Sequence, residues 1–239
     1  MTGRIIITTV LLLFISCQVN AGLLDDVLST KGQTSAKGQD DKTTASGLKE
    51  ALSIGTKNAV NYVSKTDGYF GNSAIKILMP EKIQKAADLI AKVGYQKEVD
   101  DFVLSMNRAA EKAAPKAVDI FVDAIKKMTF DDAKKILGGG NTAATDFFRD
   151  KTRTTLFGQF QPVVTDSMSK VGVAQSYKKM TAGYDKVPFM KKEDIDLDHY
   201  ITNKALDGLF YMVAEEEKKI RTNPAAQVTD LLKKVFGGK

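Results

Sequence analysis

The chain has 239 residues, of which 43% are hydrophobic and 27% charged, and its formal net charge is +6 at pH 7. One cysteine and one histidine exclude disulfide bonds within the chain and zinc sites built from Cys and His, and we expect no metal or cofactor. The positive balance suits anionic lipid headgroups better than nucleic acid, because no dense basic block with interleaved aromatic residues is present.

The first residues of the chain predict export. Arg4 precedes an uncharged, mainly apolar run from Ile5 to Ile15, whereas about 20 apolar residues are needed to cross a bilayer. This order is typical of a secretory signal peptide over residues 1–21. We expect cleavage after Ala21, which ends a Val-Asn-Ala site.

A second interpretation of the same end involves Cys17. This residue follows the apolar run and Ser16, as in a bacterial lipoprotein box, although Phe14 stands where leucine is usual. Lipid attached to Cys17 would tether the domain to a membrane. The expected location is therefore the periplasm, either free or anchored as a lipoprotein.

Residues 22–45 are predicted to be a flexible N-terminal segment. From residue 29 to 45 the sequence is polar, contains Gly and Ser, and has almost nothing to bury. A single compact domain is expected to follow, over residues 46–239.

This domain is predicted to be all-α, because apolar residues recur at three- and four-residue steps and period-two alternation is absent. In chain order, the helices are expected at about residues 46–65, 80–94, 96–114, 116–128, 129–138, 142–171, 173–182, 197–221 and 228–236. An irregular loop is expected over residues 183–195.

Several residues are expected to set the helix ends. Gly94 suits a C-terminal cap, and Thr129–Asp132 suits a capping pair. Asn141 or Thr142 is expected to cap the helix that follows them, and Pro162 to bend it.

Charged residues on apolar helix faces indicate a candidate site. Glu216 follows Leu209 and Met212 by seven and four residues, so we expect it on the buried face of the helix over residues 197–221. Glu215 and Glu217 are expected to face solvent. A buried carboxylate without a partner is costly, so we expect Glu216 either to have a cationic partner or to have a raised pKa.

Arg153 is the predicted partner of Glu216, since it precedes Leu156 and Phe157 by one helical turn and shares their face. Arg108 is the alternative partner. It has Glu111 three residues further on, which is a spacing usual for a solvated ion pair.

Two roles are open for these charges. In the structural one, which we favour, a buried ion pair fixes the register of two helices. In the functional one, Glu216, Arg153 and Arg108 bind the polar end of an apolar ligand whose tail contacts Phe148 and Phe157. Core packing is the simpler explanation of both phenylalanines.

Motifs for nucleophilic, phosphate-binding or di-iron chemistry are absent. The chain has no Gly-x-Ser-x-Gly, no Gly-Lys-Ser/Thr after the glycines at 138–140, and only His199 as an imidazole. We therefore expect a binding or structural role, with a partner protein or an apolar ligand in an interhelical cleft. The alternative is a carboxylate-dependent hydrolase of the cell envelope with Glu216 as its acid, although nothing selects a second carboxylate.

Several motifs together resemble a known family. They are GLKEAL (47–52), MNRAAEKAAPKA (106–117), MTFDDAKKILGGGNTAATDFF (128–148), ALDGLF (205–210) and LLKKVFG (231–237). In this order they are similar to the bacterial domain-of-unknown-function family 4197, over about residue 46 to the C-terminus. The resemblance implies an exported, largely helical bacterial protein and implies no activity, cofactor or catalytic residue.

Native mass spectrometry of the protein purified from its own cell envelope tests the N-terminal interpretation. We expect a mature chain that begins at Gly22 and carries no lipid. A lipid adduct on Cys17 would contradict cleavage after Ala21 and establish the lipoprotein. A chain that still begins at Met1 would contradict both.

Overall fold

The computed structural model describes residues 25–170 and 196–236. Every regular element in these two ranges is a helix, which confirms the all-α class. The predicted signal peptide, Cys17, the predicted helix at 173–182 and the loop that follows it lie outside the described residues.

The described ranges contain eight α-helices. They are α1 (Asp25–Val63), α2 (Glu81–Ile90), α3 (Gln96–Ala113), α4 (Ala117–Lys127), α5 (Phe130–Gly138), α6 (Ala143–Met168), α7 (Leu197–Thr222) and α8 (Asp230–Phe236). From α2 onward each begins within two residues of its predicted start, because the apolar periodicity and the Pro and Gly punctuation agree there.

Helix α1 begins well before the predicted start at residue 46. Residues 25–41 are helical, and from Lys42 onward, where burial is described, the first buried side chain is Leu48. By compactness the chain divides between residues 42 and 43, and the predicted domain bounds stay a prediction. The flexibility of residues 22–45 stays a prediction.

The predicted helix ends are largely confirmed. Gly94 has φ of 104° and separates α2 from α3, a conformation that favours glycine. Thr129 and Asp132 form a reciprocal capping box at the start of α5. Pro115 lies in a single 3₁₀ turn between α3 and α4, whereas α6 continues through Pro162 without a break.

Three phenylalanines join three helices in the core. The Phe121 ring of α4 lies 5.2 Å from the Phe148 ring of α6 and 6.2 Å from the Phe210 ring of α7, measured between centroids. All three side chains are fully buried. Helix α6 also packs along α7 and α3, so it contacts most of the other helices.

The connection between α1 and α2 is not helical, and Tyr69 anchors it. The Tyr69 hydroxyl donates to the carbonyl oxygen of Ala205 at 2.6 Å. Burial, reinforced by the nearby carboxylates of Glu111 and Asp207, raises the pKa of Tyr69 far above its usual range, so the phenol keeps its proton. A Cβ at Gly208 would lie 2.7 Å from the Tyr69 ring, so α7 requires glycine at that point.

We expect Gly208→Ala to lower the free energy of unfolding by about 1–3 kcal/mol, because the new methyl group overpacks the Tyr69 ring. Gly158→Ala in α6 is the matched control: nothing lies within 4 Å of its added Cβ, and alanine favours the helix by up to about 1 kcal/mol. Urea unfolding measures both. Equal shifts in the two variants would contradict the close approach of Tyr69 to α7.

Candidate functional site

Glu217 of α7 is the most fully bonded buried acid among the described residues. Its side chain is 5% exposed. One carboxylate oxygen accepts from the Ala144 amide at 2.9 Å, and the other accepts from the Thr145 amide and hydroxyl, both at 2.8 Å. A carboxylate from one helix therefore caps the first turn of another, about seventy residues away in the chain.

The start of α6 needs this carboxylate. Thr142, one of the two predicted capping residues, occupies the N-cap position, but its side chain makes no capping hydrogen bond. The free amides and the positive end of the helix dipole at an N-terminus favour a negative charge. Glu217 supplies both the acceptor atoms and the charge that the local sequence does not.

Arg221 balances the buried charge of Glu217. It lies one turn further along α7, 2.8 Å from the carboxylate in an ion pair whose arginine side chain is 9% exposed. The same guanidinium donates to the Ile136 carbonyl near the end of α5 at 2.8 Å. The pair therefore joins the end of α5, the start of α6 and the end of α7.

The sequence predicted that Glu216 is buried and that Glu217 faces solvent, and this prediction is wrong. The buried acid is Glu217, the next residue along the chain. Glu216 is only partly buried and bonds the Lys219 ammonium at 2.6 Å and the Asn58 amide at 3.2 Å. Because α7 buries a wide arc that includes Phe210 and Val213, Glu217 meets the spacing criterion as well as Glu216 does. Glu217 is the buried acid because it lies at the N-terminus of α6, where it accepts hydrogen bonds from the Ala144 and Thr145 amides.

The predicted pair between Glu216 and Arg153 is also wrong. Arg153 bonds the Asp207 carboxylate at 2.9 Å and the Asn203 side chain at 3.1 Å. These partners lie on α7 about two and a half to three and a half turns before Glu216. The contact between α6 and α7 was therefore expected correctly, but its register was not.

Arg108 forms the expected ion pair with Glu111, at 2.6 Å, and it also bonds Asp67 at 2.7 Å. Only the arginine of this pair is in contact with solvent, because the Arg108 side chain is 37% exposed and the Glu111 side chain is 5% exposed. Glu111 also accepts from the Tyr69 amide at 3.1 Å and the Phe70 amide at 3.3 Å. It therefore holds the turn that follows α1.

Asn107, one turn before Glu111, holds the next part of the same connection. Its side-chain amide accepts from the Ile77 N–H and donates to the Ile77 carbonyl, each at 2.8 Å. The backbone N–H and carbonyl of Ile77 are thus both hydrogen-bonded to the fully buried side chain of Asn107. The role of Asn107 was not predicted from the sequence. The available signal was its position four residues before Glu111, on the same face of an alanine-rich helix.

The two predicted phenylalanines lie in different places. Phe148 is fully buried and lines a cavity of about 20 Å³ beside Glu217 and Arg221, with apolar side chains from α1, α7 and α8. A cavity of this size holds about one water molecule. Phe157 is half-buried and lies against His199, with the ring centroids 5.0 Å apart. A ligand-binding role for the five predicted residues stays a prediction.

The larger concave surface is an open groove of about 650 Å³, which we call the α2–α3 groove. Its apolar lining residues are Phe70, Leu78, Met79, Ala91, Val99 and Val103. Its polar lining residues are Lys76, Gln84, Asp88, Lys92, Gln96 and Asp100. A volume in this range is typical of sites that bind a ligand or a short segment of chain.

Leu78 is an exposed apolar side chain in the lining of the α2–α3 groove, with 58% of its surface accessible. Leu89 of α2 and Val93, which each follow a lining residue in the sequence, are 43% and 49% exposed. Apolar surface of this kind, rimmed by polar residues, marks interaction sites in soluble proteins.

A second open groove, of about 410 Å³, lies between α4, α5 and α6. Its lining includes Lys127, Lys151 and Asp132, and the Asp132 carboxylate is already used in the capping box of α5. Hydrogen bonds from Thr129, together with nearby lysines, lower the pKa of Asp132.

Within residues 25–170 and 196–236, no cluster of three or more His, Cys, Asp and Glu side chains could hold a metal ion. Each helix within them is too short or too polar to cross a membrane.

A family model matches residues 38–237, and its description is "Protein of unknown function (DUF4197)". No curated protein and no solved structure matches the chain. The match covers all of α2 to α8 and therefore includes the Glu217 site and the α2–α3 groove.

We expect Glu217→Ala to lower the free energy of unfolding by about 3–5 kcal/mol, because it leaves the buried Arg221 guanidinium without its counter-charge and two backbone amides without an acceptor. Glu216→Ala, the neighbouring control, should cost less than about 1 kcal/mol, since its partner Lys219 is exposed. Urea unfolding of both variants measures the difference. Equal losses, or a larger one at Glu216, would contradict the capping role.

Proposed function

We propose that this chain, which belongs to the DUF4197 family, is an exported protein of the bacterial envelope with a binding role rather than a catalytic one. The binding surface is the α2–α3 groove, and the bound species is a partner protein. The observation that carries this proposal is the groove itself, a large open concavity with an apolar floor and charged walls.

The buried acids give little support to catalysis. The oxygens of Glu217 accept from amides, a hydroxyl and Arg221, and one oxygen of Glu111 accepts from two amides while the other bonds Arg108. A carboxylate bonded in this way stabilises the fold and is poorly placed to exchange a proton with a substrate.

The other functions expected from the sequence have less support. The cavity beside Glu217 has room for about one water molecule, which does not suit an apolar ligand between the helices. The hydrolase alternative named Glu216 as its acid, and that carboxylate bonds Lys219 and Asn58.

The proposed location rests on the N-terminal sequence alone. The apolar run that begins at Ile5 and the cleavage site at Ala21 support export, and Cys17 supports a tethered form as the alternative.

Site-specific photocrosslinking in cells that produce the chain tests the proposed function. A photoreactive amino acid replaces Leu78 in the α2–α3 groove, or replaces the exposed Thr155 in the groove between α4, α5 and α6 as the matched control. We expect a discrete protein adduct from position 78 after irradiation and none from position 155, because the first side chain faces the partner.

Mass spectrometry then identifies the adduct. A result with no adduct at position 78, in a variant that exports and folds normally, would contradict the proposed function. Adducts of equal intensity from both positions would do the same, because they indicate random collision.

A further inference from the structure

We propose that the partner in the α2–α3 groove is a second copy of this chain, related to the first by a two-fold axis. This inference rests on the proposed function, since it identifies the partner protein that the groove binds.

Charges of both signs line the groove without neutralising one another. Asp88 and Asp100 each accept only from a glutamine on their own helix, Gln84 and Gln96, both at 2.9 Å. Neither carboxylate is in an ion pair with another described residue.

The two lysines of the groove also lack a carboxylate partner among the described residues. The Lys76 ammonium lies 3.9 Å from the centroid of the Phe70 ring, and Lys92 lies just after the end of α2. Five lysines elsewhere in the described ranges do form an ion pair with an acid, as Lys97 does with Asp101 at 2.6 Å. The groove therefore presents two unpaired cations and two unpaired anions.

This balance fits a surface that faces itself. Across a two-fold axis, the same patch of both copies is in contact, so a patch of one sign would repel its copy. Two lysines and two aspartates give the groove no net charge, whereas the chain as a whole carries +6. The net charge of this surface therefore does not oppose the approach of a second copy.

Leu78 supplies the apolar contact. It lines the groove yet is 58% exposed, so it is available to a neighbour while the buried Met79 and Val99 form the floor beneath. In a two-fold arrangement, Leu78 of each copy packs against the groove of the other. Burying this leucine and the adjoining apolar surface supplies the hydrophobic free energy of association.

A charge-complementation experiment tests the inference without assuming which lysine faces which aspartate. One full-length variant, K76D/K92D, has an entirely acidic groove, and the other, D88K/D100K, has an entirely basic one. Sedimentation velocity measures the assembly state of each purified protein alone and of their equimolar mixture. Circular dichroism checks that both are folded.

We expect the wild type to form a concentration-dependent dimer and each variant alone to dissociate at least about tenfold more readily, because like charges then face each other. The equimolar mixture should form a heterodimer. K127D/K151D reverses two exposed lysines of the other groove and should leave the wild-type dimer unchanged.

Three outcomes would overturn the inference. They are a monomeric wild type at all concentrations, variants that dimerise as well as the wild type, and a mixture that stays monomeric although the wild type dimerises. If the wild type is monomeric and position 78 still crosslinks a different protein, the proposed function stands and only the identity of the partner is wrong.

Discussion

The hydrogen bonds from the start of α6 to the Glu217 carboxylate are the interaction on which the packing of the long helices depends. A helix that begins inside a protein must satisfy its first amides, and α6 has no local side chain that does so. The acceptor comes from α7, and Arg221 neutralises it while also bonding the end of α5. Sliding α7 along α6 by one residue would break all of these bonds together, so the network fixes their register.

Buried polar side chains of a long helix also bond the backbone of the connection between α1 and α2. There, Asn107 and Glu111 lie one turn apart on α3 and bond the backbone of Ile77 and of the turn at Tyr69. In both places a buried polar side chain of a long helix satisfies backbone that has no helical partner. Unsatisfied buried amides cost about 1–3 kcal/mol each, so these few side chains determine where the non-helical segments can lie.

Sequence reasoning recovered what is local and missed what depends on three-dimensional context. The periodicity of apolar residues, Gly94 and the Thr129–Asp132 capping box gave the helices and their ends, because each acts within about one turn. The identity of the buried acid could not be obtained this way, since Glu216 and Glu217 both follow apolar residues by four and seven positions. Glu217 is the buried acid because it lies beside the first amides of α6, and the spacing of residues on α7 carries no information about where those amides are.

The buried charged side chains are engaged in bonds that stabilise the fold, so binding of a partner is expected at the exposed charges instead. Glu217, Arg221 and Glu111 are committed to bonds that hold the helices, and a ligand that recruited them would have to break those bonds. The charges of the α2–α3 groove differ, because Asp88 and Lys92 stand at an open surface and neither forms an ion pair with a described residue. Their desolvation on binding is offset only if the partner supplies complementary charges, and a second copy of the same groove does so.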